Sequence, residues 1–255
     1  MVDLILAGTT ALAFVLLLLW LLSIFTGTVS FIDAFWGTGF LVVAGAVAYQ
    51  LPELGERQIL ALILLFLWGA RLSLYLLKRY FELGEDPRYV KMTAGKSAFQ
   101  RHFFTAWFVF GLQGFLILLI SAPVFLLLAE PPSPINLISL VGAGLWFVGV
   151  FFEWTGDYQL SRFRKDPDNA GKVLDTGLWA WTRHPNYFGD ACVWWGIWLI
   201  GHDLYGIYSP ILMTYLLMKW SGVPILERSL KKRRPDYAAY CKRTSSFFPR
   251  PPKHQ

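Results

Sequence analysis

Arg183, His184, Asn186, Tyr187 and Asp190 fall within eight residues of one another. They bring a guanidinium, an imidazole, an amide, a phenol and a carboxyl to one short stretch, 177–190, which runs directly into the apolar residues 191–200. Polar groups at the mouth of a membrane helix are costly, and a set this dense points to a ligand rather than to a simple cap. Pro185 suits the first turn of a helix, where its missing N–H is no loss. Asn186 and Asp190, four residues apart, then share one face, so an amide and a carboxyl look toward the same ligand. Taken singly, each of these residues reads equally well as an interfacial cap.

Glu153, Asp157 and Arg164 are spaced i, i+4, i+11. They form one polar stripe if their helix continues past the membrane. The stripe is either solvated or one wall of a polar cavity, with Arg164 a bidentate ligand for phosphate oxygens. The stretch 177–190 would be the facing wall.

Asp33 and Arg71 are ionisable residues at or inside apolar runs, with Tyr75 one turn beyond Arg71. A charge at mid-membrane costs roughly 2.5–3.5 kcal/mol on insertion scales, so each needs a partner or a task. Asp33 and Arg71 could pair to close the bundle, or Asp33 could serve as an acid. Glu82–Tyr89 is a compact charged turn, ordinarily a solvated loop. Glu227, Tyr237 and Tyr240 lie in a basic tail, where tyrosines three apart share a face and usually anchor the interface.

The elements that position these groups are membrane helices. The 255 residues are 55% hydrophobic, with 12 Trp, 11 Tyr and 21 Phe, and the mean hydropathy is +0.46. That is the composition of a polytopic, all-α membrane protein. Apolar runs that approach the length of a span, about 20 residues, occupy roughly 4–25, 35–51, 58–77, 103–128, 136–156, 186–202 and 205–221. Seven transmembrane helices gather the basic residues on one side: Lys78 to Arg101, Arg162 to Arg183, and the tail from Arg228 to Lys253. The opposite loops hold Arg57 alone. The reading is therefore N-terminus out and C-terminus cytoplasmic, in an integral membrane protein.

The first run lacks the basic start and small-residue cleavage site of a signal peptide and reads as a retained helix. One domain, 1–255, is expected, its cofactor-binding half at about 136–250. The net charge of +6 reads as cytoplasmic-face topology and contact with anionic membrane lipids, with no nucleic acid partner and no obligate protein partner. Cys192 and Cys241 have neither disulfide nor metal spacing. The dinucleotide glycine fingerprint, the P-loop, a metal-ligand set and the nucleophile elbow are all missing from the sequence. No metal is expected, and no motif asks for a flavin.

Arg183-His184-Pro185-Asn186-Tyr187-Phe188-Gly189-Asp190 with Trp194-Trp195-Gly196, Phe31-Ile32-Asp33-Ala34-Phe35-Trp36-Gly37, and Glu85-Asp86-Pro87-Arg88-Tyr89 together resemble a bacterial membrane family of unknown function, domain 1295, grouped with the steroid 5-alpha-reductases. The Arg-His-Pro-x-Tyr core is also that of sterol C14/C7 reductases and isoprenylcysteine carboxyl methyltransferases. The resemblance implies a seven-helix fold with NADPH in its cytoplasmic half and a flat lipid enone on the membrane side. Hydride would pass to the beta carbon while an acid polarises the carbonyl. By motif, the family's cofactor contacts fall on Asn186, Asp190, Asp157, Arg164 and Tyr237. Arg183, His184 and Tyr187 belong to the shared core, and Glu153 stands where those reductases have asparagine. The substrate-polarising glutamate falls on Asp33 by spacing, and the tyrosine near Trp68. Without that phenol, Asp33 or Tyr75 would have to supply the proton.

The resemblance thus implies an NADPH-dependent reductase of a conjugated double bond in a steroid-like or other lipid substrate, in the bacterial inner membrane with its cofactor end cytoplasmic. Two other readings stay open. One is an S-adenosylmethionine-dependent membrane methyltransferase, served by Arg183–Tyr187 and Glu227. The other is a non-enzymatic lipid-binding protein whose polar cluster closes the bundle.

Overall fold

The computed structural model describes residues 1–220 and 222–252. Ser221, at the end of the seventh apolar run, and Lys253 of the basic tail lie outside the described residues. The chain is helical, with a single isolated bridge, Thr182 to Ser245, in place of any strand among the described residues. It divides into two compact units, Met1–Asn136 and Leu137–Gln255.

The first unit contains α1 (Val2–Thr26), α2 (Ile32–Ala48), α3 (Glu56–Leu83), α4 (Pro87–Thr93), α5 (Ala98–Phe104), a π-helical segment (Thr105–Gly111), α6 (Leu112–Ile120) and α7 (Ala122–Ala129). α1 is apolar all round, and Leu6, Phe14, Leu17 and Phe25 on it are exposed, as lipid contact requires. It ends where Gly27, at φ 68°, turns its N–H back to Ser23 O. α2 and α3 meet backbone to backbone at Gly37 and Gly69. A Cβ on Gly37 would stand 2.3 Å from the Gly69 carbonyl, so the contact admits glycine alone. Beside it the Ser73 hydroxyl accepts hydrogen bonds from Thr38 N and Oγ1, both at 2.8 Å.

At the other end of α3 the buried Gln58 amide donates to the carbonyls of Leu127 and Glu130, at 3.1 and 2.9 Å. Arg57 reaches Glu130 at 2.6 Å and Ser133 Oγ at 2.8 Å. The lone basic residue of that loop set is thereby neutralised, which removes its cost as a charge near the apolar core.

The second unit contains α8 (Leu137–Lys165), a 3₁₀ turn (Pro167–Asn169), α9 (Leu178–Trp181), α10 (Pro185–Gly201), a 3₁₀ turn (Leu204–Ile207), α11 (Tyr208–Tyr215), a π-helical turn (Leu216–Trp220), α12 (Val223–Arg233) and α13 (Tyr237–Arg243). Helices occupy all seven apolar runs. Among the described residues, four helices are long and apolar enough to cross a membrane: Val2–Thr26, Glu56–Leu83, Ala98–Ile120 and Leu137–Lys165. α2 and α10 are each 17 residues long. The run 103–128 is broken at Ser121, before Pro123, and the run 205–221 is split among 3₁₀, α and π turns.

Candidate functional site

α8 and α10 run antiparallel along a seam of glycines. Gly142, Gly149 and Gly156, seven residues apart on α8, face Gly196, Gly189 and Pro185 of α10. A Cβ on Gly149 would lie 2.6 Å from Gly189 O, and one on Gly189 would lie 2.4 Å from Gly149 O. The sevenfold spacing keeps the small residues on one face of the helix, and their size lets the two backbones touch.

That contact fixes the polar residues of the two helices against each other. Glu153 and Asp157 of α8 are buried, at 3% and 2% exposure. Asn186, in the first turn of α10, donates its Nδ2 to Asp157 Oδ1 at 3.2 Å. Asp190 lies one turn further, and its Oδ1 is buried without a hydrogen-bond partner. Buried polar atoms are nearly always satisfied, which sets this oxygen apart from its neighbours. α8 continues unbroken to Lys165, so the stripe of Glu153, Asp157 and Arg164 does lie on one helix. The first two are buried, while Arg164 is exposed at the far end.

Arg183 and His184 are spent on the tail. Arg183 donates Nε and Nη2 to Glu227 Oε1, both at 2.8 Å, and Nη1 to the carbonyls of Thr244 and Cys241, at 2.5 and 3.2 Å. His184 Nε2 stands 3.4 Å from the same Glu227 oxygen, and its ring stacks on Tyr187 with centroids 5.4 Å apart. Burial would raise the Glu227 carboxyl, but the hydrogen bonds from His184 and Arg183 outweigh it and hold the group down to about 2. Burial lowers the His184 imidazole more than Glu227 raises it. The ring is therefore neutral and donates from Nε2.

Backbone bonds continue this lock. Thr182 Oγ1 donates to Phe247 O at 2.8 Å, Arg183 N to Ser245 O at 2.8 Å, and Arg250 N to Trp181 O at 3.0 Å. The Tyr240 hydroxyl donates to Trp179 O at 2.6 Å. Tyr237, at 2% exposure, brings a hydroxyl that is buried without a partner. Burial and Glu227 raise it, so it stays a donor.

In the first unit Asp33 is held from the charged turn. Tyr89 donates its hydroxyl to Asp33 Oδ1 at 2.5 Å, Arg88 Nη2 donates to Oδ2 at 3.1 Å, and Gln113 reaches Oδ1 at 3.4 Å and the Tyr89 oxygen at 3.3 Å. Glu85 holds the turn in place by accepting from Val29 N, Ser30 N and Ser30 Oγ at 2.8, 3.1 and 2.8 Å. Asp86 caps α4 through Arg88 N. Burial and the neighbouring Asp33 raise the Tyr89 phenol above its ordinary value, which keeps it protonated.

The two other residues expected to act with Asp33 are placed differently. Trp68 is fully buried against Phe40, centroids 5.8 Å apart. Tyr75 carries the Arg71 guanidinium 4.8 Å above its ring. The sequence reading missed Tyr89 and Gln113, which lie 56 and 80 residues from Asp33. The one local sign was the Asp-Pro start of α4 within a turn that otherwise reads as solvated.

Comparison with known proteins gives these clusters a context. The chain is 24% identical to the uncharacterized protein C594.04c of Schizosaccharomyces pombe, over 91% of this chain and 76% of that protein. It is 29% identical to the Delta(14)-sterol reductase erg24 of the same yeast, over 45% of this chain and 31% of the reductase. It is 33% identical to the human 3-oxo-5-alpha-steroid 4-dehydrogenase 1, over 26% of each. The matches to these last two thus span about a third or less of their length. No solved structure matches the chain. A family model described as protein of unknown function, DUF1295, matches residues 19–244. With that match running from within α1 to the end of α13, well over half of the chain, the chain belongs to the DUF1295 family.

Proposed function

We propose that the protein is a membrane-embedded, NADPH-dependent reductase that saturates a conjugated carbon–carbon double bond in a steroid-like or other lipid enone. The observation that carries the reading is the unpartnered Asp190 oxygen beside the Asn186–Asp157 pair, a buried acceptor that fits a carboxamide donor of a ligand. The reductase and steroid-dehydrogenase names of the partial relatives favour this chemistry.

On this reading Asp190, Asn186 and Asp157 hold the cofactor from α8 and α10, with the buried Glu153 one turn before Asp157 on α8. Tyr237 adds a hydroxyl and Arg164 a cation for phosphate. Arg183, His184 and Tyr187 position the wall by pinning the tail to the start of α10. The cofactor, when bound, supplies hydride to the beta carbon. An acid must supply the balancing proton, and the task is assigned to the Tyr89 hydroxyl, whose single proton, held on Asp33 Oδ1, would turn to the carbonyl oxygen of the enone. Tyr89 thus takes the part that spacing put near Trp68 and that otherwise fell to Asp33 or Tyr75. The sum is a two-electron reduction: hydride at the beta carbon and a proton at the oxygen give the enol. The enol tautomerises to the saturated ketone by taking a proton at the alpha carbon and releasing the one on oxygen, and solvent reprotonates Tyr89.

The proposed topology keeps seven spans, the N-terminus outside and the C-terminus in the cytoplasm, so that soluble cofactor meets the tail side. Glu227 Oε1 is engaged with Arg183 and His184, which weighs against the methyltransferase reading that gave this carboxylate to its cofactor.

In proteoliposomes, NADPH should be consumed with a flat α,β-unsaturated ketone. Asp33→Asn and Tyr89→Phe should each lower kcat by about a hundredfold or more, the scale of one general-acid contribution, with cofactor affinity intact. Protein that binds S-adenosylmethionine and ignores NADPH would refute the reading.

A further inference from the structure

Among the buried polar atoms without a hydrogen-bond partner is Arg234 Nη1, a group the reaction described above does not use. Arg234 is the residue at which α12 ends. Its backbone leaves helical geometry at φ −132° and ψ 104°, and its N–H closes the last turn on Leu230 O. The guanidinium is directed at Gly171, with Nη1 3.8 Å from the point a Cβ would occupy there. Gly171, at φ +83°, ends a tight turn built on Asp166. Asp166 accepts from Asp168 N at 3.0 Å and from the Asn169 amide at 3.3 Å, while Asn169 also donates to Phe163 O.

Two carboxylates of this region are engaged elsewhere. Asp166 holds its own turn, and Asp175 is paired with Arg243. Lys165 and Lys172 flank the turn. The result is a buried guanidinium N–H without an acceptor, facing a side-chain-free backbone between two lysines, in a turn that also carries Asp166 and Asp168. A guanidinium fork matches phosphate oxygens, and a bare glycine lets an anion approach.

We propose that Arg234 and the turn 166–172 form an anion subsite that takes a phosphate monoester, and that this is the phosphate distinguishing NADPH from NADH. The identification with the dinucleotide rests on the reductase reading; the anion subsite itself does not.

The full chain in neutral-lipid nanodiscs should bind NADPH at least about tenfold more tightly than NADH, the scale of one charge-assisted pair. Arg234→Gln should remove that preference by weakening NADPH while leaving NADH unchanged. Arg234→Lys, which retains charge and the tail fold, should restore part of it. Inorganic phosphate should raise the melting temperature of the wild type and not of Arg234→Gln. NADPH preference untouched in both variants overturns the subsite while the reductase reading stands. If neither dinucleotide binds but phosphate still stabilises through Arg234, the reductase reading fails and the subsite stands. Stabilisation by phosphatidic acid in the discs, with no response to phosphate or NADPH, assigns the site to a lipid headgroup and overturns the nucleotide proposal.

Discussion

Glu227 shows how one carboxylate can decide what its neighbours are available to do. Its Oε1 accepts from Arg183 and His184 within a nearly dry cluster, and Arg183 spends its remaining nitrogen on two tail carbonyls. Removing one member of a buried ion pair leaves the other charge uncompensated. Glu227→Ala should therefore cost about 3 kcal/mol of stability in thermal unfolding, and Glu227→Gln somewhat less, because it still accepts from Arg183. Because the folded carboxyl sits below its ordinary value, the unfolded chain binds the extra proton first on acidification. The stability it gives is complete above about 4.5 and is lost as pH falls from there toward about 2. A pH series of melting temperatures on wild type and Glu227→Gln reads this as a difference confined to that window. The spacing of Asn186 and Asp190 made their shared face legible from sequence. The partners of Arg183 lie 44 or more residues away, and no local periodicity encodes such a contact.

The glycine seam is the element on which the cofactor wall depends. Gly189→Ala would place a methyl 2.4 Å from the Gly149 carbonyl, and backbone cannot yield as a flexible side chain can. Overpacking of this kind costs about 1–3 kcal/mol, and it should also part Asn186 from Asp157 and weaken NADPH binding. Gly144→Ala is the matched control on the same helix, since a Cβ there meets nothing within 4 Å. It should be neutral or slightly stabilising, as alanine is the better helix former. Thermal unfolding of the two variants with and without NADPH separates seam from propensity.

The long helices were legible because apolar runs of about 20 residues admit little else, and α8 was readable through its polar stripe. The breaks were harder to see. The π segment Thr105–Gly111 lies within an evenly apolar run, so no change of composition marks it. The charged turn 82–89 looked solvated because its function as a clamp on Asp33 appears only when α2 and α4 are brought together.

At the scale of the whole molecule, the chain forms two compact units, one carrying the Asp33–Tyr89 cluster and the other the Asn186–Asp157 pair beside Asp190. The basic residues of the tail should mark the cytoplasmic face. In a Cys192→Ala, Cys241→Ser background, Lys242→Cys should react with an impermeant thiol reagent only from the cytoplasmic side, and Pro131→Cys only from outside. Both labelling from one side would leave an even number of spans between them and the topology would be wrong. The most direct measurement for the account as a whole is NADPH binding by the purified full chain, read by calorimetry for wild type and Asn186→Ala. The account predicts saturable binding that weakens by about tenfold or more when the amide is removed. An Asn186→Ala protein that is stably folded and binds NADPH as the wild type does, or a wild type that does not bind it at all, would contradict it.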